Sequence, residues 1–302
     1  VDLADAIGEP GERVRARWFL ADALHERGQL AAQATVIDEM VALAERSGQP
    51  SLVWPTQLYE VTRAATEGAL DRAEDIASKA HSFGLRHGHT DATLFFGGQL
   101  YALRLEQDRL PELAPLFEPF ADAPDAHPVI GAMQSLIDVE RGRGDAARAR
   151  LERLAGGGQL ATLRRDDLRL STFAYVALVA NALTLKEAAA ELDAVLEPIT
   201  DGFVFSQGGA IGATGAIAYF RGLNQSTLGN GAAAIALLEQ AVVAHDASGA
   251  LAWRCRARLA LADELRGVDP DRALALARIA AGDLQGSAFT ALRRHAARIL
   301  ST

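Results

Sequence analysis

The strongest constraint on this chain is its agreement with itself at a spacing of 40 residues. "LADAIGEP" at 3–10 returns as "LAERSGQP" at 43–50, aligning Leu3, Ala4, Gly8 and Pro10 with Leu43, Ala44, Gly48 and Pro50. A further step of 40 brings "FGLRHGHT", with Gly88 beneath Gly48, His87 beneath Ser47 and His89 beneath Gln49. A second marker runs through Gly28, Gly68 and Asp108. It continues less regularly at Arg143, Thr184, Gly229 and Gly267. Self-similarity of this kind marks stacked supersecondary units, none of which can bury its apolar face alone.

Each unit reads as an amphipathic helix, a short Gly or Asp turn, a second helix and a longer connector. Ala73, Ile76, Ala77 and Ala80 form one apolar stripe at helical spacing. Asp269-Pro270 is a helix start, with aspartate as N-cap and proline at the first helical position. Hydrophobic residues are 49% of the 302 but aromatics only 6%, so alanine and leucine supply the core, as in closely packed helices. The pattern predicts one all-α domain over 1–302, a right-handed α-solenoid of about seven helical hairpins.

The sixth unit, "GLNQSTLGNGAAAIALLEQA", resembles a tetratricopeptide (TPR) repeat. Gly222 lies seven residues before Gly229, and Ala234, Leu238 and Ala241 follow at that motif's spacing. Unit two matches in part, through Gly68, Ala73 and Ala80. Lengthened, degenerate repeats of this kind resemble the helical region of large bacterial signalling ATPases. That group includes maltose-regulon-type transcription activators and actinobacterial relatives with nucleotide-cyclase or LuxR-type modules. "RAEDIASKAHSFG", "QLYALRLEQDRLPELAPL" and "AYFRGLNQSTLGNGAAAIALLEQAV" carry the likeness. It implies a protein-interaction or effector-sensing module of a transcriptional or signalling regulator. The absence of an initiator methionine and the mid-repeat start at Val1 suggest a fragment of a longer multidomain protein.

The formal net charge of −9 argues against a nucleic-acid surface, and a single cysteine, Cys255, excludes an internal disulfide and fits the cytoplasm. The longest apolar run, 173–183, is too short for a membrane span and contains Asn181. No chemical signature assembles. His25-Glu26 begins a zinc-protease pattern, but Gln29 stands where its second histidine belongs. "GGAIGATG" at 208–215 lacks the lysine of a phosphate loop, and adjacent Asp166 and Asp167 read as charges at a helix start. His81, His87 and His89 fall in an inter-repeat turn whose equivalents use other polar residues, so a polar turn is preferred to a metal site.

The expected site is therefore a binding face, with no catalytic residue, metal or cofactor. In the tetratricopeptide register the inner surface takes Arg15, Trp18, Asp22 and His25 from unit one and Leu58 and Thr62 from unit two. Phe95 and Gly98 come from unit three, Met133 from unit four, and Tyr219 and Leu223 from unit six. The expected partner is a protein, a peptide, another domain of the same parent chain or a small-molecule effector, with no nucleic acid and no membrane. An all-α toroid enzyme acting on glycans and a stand-alone assembly scaffold are the alternatives.

Overall fold

A computed structural model of the chain describes residues 1–123, 125–199, 201–204 and 215–301. Seventeen α-helices occur among them, and no strand beyond one isolated bridge between Phe203 and Ala216. The first six are α1 (Asp2–Ile7), α2 (Pro10–Glu26), α3 (Leu30–Ser47), α4 (Pro50–Thr66), α5 (Leu70–Arg86) and α6 (Ala92–Glu106). Helices α2 and α4 open on prolines 40 residues apart, where the missing N–H is not needed. The turns that end these helices place Gly8, Gly28, Gly48, Gly68 and Gly88 at positive φ, and Asp108 follows the series at φ 63°. The left-handed residue lets the chain reverse while its N–H groups satisfy the last carbonyls of the helix, as Gly48 N–H does for Ala44 and Glu45.

The third unit breaks the expected hairpin. Pro111, Pro115 and Pro119 follow α6, and instead of a full second helix the chain forms a 3-10 turn (Leu110–Leu113) and a single α turn, α7 (Ala114–Phe117). Proline lacks the N–H of the helical ladder and clashes with the preceding turn, so a continuous helix cannot run here. Then follow α8 (Pro128–Glu140), α9 (Gly144–Ala155), α10 (Gln159–Thr162), α11 (Arg169–Leu183) and α12 (Lys186–Leu196). The last are α13 (Ile217–Leu228), α14 (Gly231–Ser248), α15 (Leu251–Leu265), α16 (Pro270–Asp283) and α17 (Thr290–Leu300).

Helices pack neighbour to neighbour along the chain: α2 on α3, α4 on α5, α8 on α9, and α13 through α16 in series. A continuous buried core runs from α4 to α17, with smaller clusters around Met40 and Trp54. Alanine closes the helix approaches, with Ala73, Ala77, Ala147, Ala189, Ala241 and Ala277 all at or near full burial. Cys255 is fully buried, and burial pushes its thiol up to about 11.

Contacts also join segments far apart in sequence. The Phe203 N–H donates to the Glu26 carbonyl at 2.8 Å, and its ring lies against Gly28. Phe289 packs on Gly68, Arg294 pairs with Asp108 at 2.5 Å, and Arg256 grips both oxygens of Glu106 at 2.9 and 3.0 Å. The turns of the first three hairpins thus dock on the C-terminal half. In an open array, where each unit meets only its neighbours, such contacts do not arise.

Candidate functional site

The residues expected on the inner surface have separate fates. On α2, Arg15 is exposed and pairs only with Glu12, one turn away at 3.4 Å. Trp18 is half-buried with its ring edge-on to Tyr59 at 5.5 Å. The half-buried Asp22 accepts from the Tyr59 hydroxyl and from Trp18. Burial lifts the Asp22 carboxyl to about 7, against the pull of those two donors, and the Glu26 charge adds to the lift. His25 is buried, meets the Gln33 amide at 3.3 Å, and is pushed down to about 4 by burial. Leu58, Thr62, Tyr219 and Leu223 are buried between helices and present no surface. Tyr219 stands in an aromatic cluster with Phe220, His245 and Trp253, where His245 Nε2 accepts the Ala216 N–H at 2.8 Å. Phe95 is half-buried against Trp54. Met133, with Gly98, lines an open cleft.

That cleft, about 470 Å³, lies where the prolines interrupt the repeat. Helix α6 contributes Leu94, Gly97 and Gly98, the proline-broken segment contributes Leu116, Phe117 and Phe120, α8 contributes Val129, Ile130 and Met133, and α11 contributes Ser171 and Tyr175 with its N-cap Leu168. A full helix after Asp108 would have packed against α6 and α8, so the absent turns leave the volume open. Tyr101 holds the two walls in register by donating from its hydroxyl to the Met133 carbonyl at 2.9 Å. Leu94, Leu116 and Phe120 remain 54%, 48% and 59% exposed on the rim, an apolar edge that folding leaves in water. Gly97 faces open space, since a Cβ there would meet nothing within 4 Å.

At one end the cleft reaches His127, the N-cap of α8. Its Nδ1 accepts the Val129 N–H at 3.1 Å, so the ring proton sits on Nε2, which faces Asp166 Oδ2 at 3.1 Å. Asp166 also accepts from Arg164 Nε and from the Leu168 N–H, both at 3.2 Å. Its carboxyl stays below the ordinary range because these donors outweigh its burial. This is a His–Asp pair in appearance, but both ring nitrogens are engaged, leaving no lone pair to activate a nucleophile. The arrangement fixes the cleft mouth.

The histidines of 81–89 take separate partners. His81 stacks on Phe96 and contacts Thr93 Oγ1 at 3.2 Å, His87 tilts on Phe83, and His89 stacks on Trp54 at 4.3 Å. No group of three His, Cys, Asp or Glu residues placed to hold a metal occurs among the described residues. The glycine-rich stretch 208–215 lies outside the described residues except for Gly215. No helix among the described residues is long and apolar enough to cross a membrane.

The cleft itself left a trace in the sequence, the three prolines spaced four apart after Asp108. Read in the frame of the repeat, they fell inside an expected helix. In comparison with known proteins, the chain matches no protein-family model and no curated protein.

Proposed function

We propose that this chain is a tetratricopeptide-like α-solenoid that closes on itself, serving as the ligand-sensing module of a cytoplasmic bacterial signalling or transcriptional regulator. The recognition site is the cleft between α6, α7, α8 and α11. The observation that carries this reading is the cleft itself. Pockets that hold small molecules span roughly 300–1,000 Å³, are mostly apolar, and carry a few fixed polar groups. This one is apolar along three helices and ends at the fixed His127. An occupant would touch α6, α8 and α11 together, and so favour arrangements in which these helices stand as they do here. A ligand shifts such an equilibrium only through unequal affinity for the two arrangements. The engaged nitrogens of His127 favour binding over hydrolytic chemistry.

The test is titration with a neutral, environment-sensitive naphthylamine dye. The wild-type chain should bind it at one site with enhanced emission. Gly97→Leu adds a side chain to the cleft wall, where its Cβ meets nothing within 4 Å, and should abolish that binding while the far-ultraviolet circular dichroism is unchanged. Dye binding that survives Gly97→Leu would remove the cleft as the site.

A further inference from the structure

A second hollow, about 240 Å³, adjoins the cleft. The two share Asp125, Ala126 and His127, and α11 lines both. Leu168, Ser171 and Tyr175 face the apolar cleft, whereas Arg169 and Thr172 face the smaller hollow. The two spaces meet at residues 125–127, the larger mostly apolar and the smaller lined by Arg164 and Arg169 together with Asp125 and Asp166.

Arg169 is unusual in this chain. Among the described residues, it is the one arginine with a partly buried side chain and no carboxylate within 4 Å. The other arginines without one are all exposed. Its Nε is buried and has no hydrogen-bond partner, while Nη2 makes only a long contact, 3.4 Å, with the Ala161 carbonyl. Its guanidinium sits 5.0 Å above the Phe173 ring, which holds the group in place without neutralising it. The nearby Asp166 is taken by His127, Arg164 and the Leu168 N–H. Burial and the Arg165 charge lower the Arg169 pKa, and the Asp166 charge, spent on other donors, offsets them only in part. Arg169 also opens α11, where backbone N–H groups add to the positive field. Asp125 on the shared rim is exposed, so its charge is screened by water.

Resting on the reading of the cleft as a binding site, we infer that the ligand is a single-chain anionic amphiphile. Its apolar body would lie along α6, α8 and α11, and its carboxylate or comparable anionic head would turn past His127 to meet Arg169. A half-buried guanidinium with no carboxylate partner suits a planar anion. The volume of the apolar arm suits an alkyl chain taken up as a monomer from solution rather than a bilayer surface.

Calorimetric titration of the whole chain tests this with saturated alkanoates of about eight to fourteen carbons and the alcohols of equal length, all below micelle-forming concentration. Expected are one ligand per chain and about fourfold tighter binding per added methylene until the cleft is filled. Alkanoates should bind about tenfold or more tighter than the matching alcohols. Arg169→Gln should erase that preference by weakening alkanoate binding toward that of the alcohol, with unchanged helix-band dichroism showing that the variant is folded. Arg169→Lys should keep part of it. Equal binding of alkanoate and alcohol to the wild type, or a preference that persists in Arg169→Gln, would overturn the assignment of the anionic head. If neither series binds and the neutral dye also fails, the cleft reading itself falls.

Discussion

Gly28 and Gly48 share a left-handed turn conformation, at φ 68° and 63°, but their surroundings differ. A Cβ on Gly48 meets nothing within 4 Å, whereas one on Gly28 would stand 2.2 Å from Phe203 Cε2, with two more ring carbons at 2.8 Å. Alanine at either site meets the left-handed penalty of about 1–2 kcal/mol. At Gly28 it also forces the Phe203 ring from its place against His245. Overpacking of that kind costs a further 1–3 kcal/mol or so. Gly48→Ala should therefore destabilise by about 1–2 kcal/mol and Gly28→Ala by about 2–5 kcal/mol. In a Phe203→Ala background the collision is gone, so Gly28→Ala should fall back to the cost of Gly48→Ala, a coupling of about 1–3 kcal/mol. Equilibrium urea unfolding followed by ellipticity at the helix band gives all four values. Equal costs at the two glycines, or strict additivity with Phe203→Ala, would show that the first hairpin turn does not dock on residues 202–204. The self-closing arrangement would then be wrong.

Three other outcomes follow from the same structure. Asp22 is protonated more readily in the folded chain than in the unfolded one, its value rising from 3.8 to about 7. The stability it contributes is complete below pH 3.8 and lost as pH rises through about 7; at 1.36 kcal/mol per pH unit, part of it screened at the half-open carboxyl, this is about 2–4 kcal/mol. Asp22→Asn should flatten that fall between pH 4 and 7 in unfolding curves, and a slope unchanged from wild type would exclude Asp22 as its source. Glu106→Gln removes the carboxylate charge that takes both bonds from Arg256 Nη2 and should cost about 3–5 kcal/mol, with much of the loss recovered in Glu106→Gln/Arg256→Met. Asp269→Ala removes an N-cap that accepts the Arg272 N–H at 3.1 Å and should lower stability by about 1 kcal/mol in the same assay.

The parts of this protein that its sequence determines are local. Pro10 and Pro50 open helices, Gly48 and Gly88 close them, and the Asp269-Pro270 pair caps α16. Of the stripe read from residues 73 to 80, Ala73, Ala77 and Ala80 are buried on one face of α5 and Ile76 is partly buried. On α17, Leu292 and Ile299 turn inward while Arg293, Arg294 and Arg298 face water. Each of these depends on φ preferences, a missing N–H or helical period, quantities fixed within a few residues.

The site is of another kind. Repeats with one local pattern contain no statement of which turns will meet, because that depends on the small rotation accumulated over many units. The meetings of Gly28 with Phe203 and of Glu106 with Arg256 arise at that scale. Tyr219 is buried among Phe220, His245 and Trp253. The cleft required both the local effect of Pro111, Pro115 and Pro119 and the placing of α11 across the gap they leave. Arg169 reads in sequence as one basic residue in "RRDDLR". Only the tertiary structure gives Asp166 to His127 and leaves the guanidinium without a directly paired carboxylate, because salt-bridge partners are chosen by position in space and not by neighbourhood in the chain.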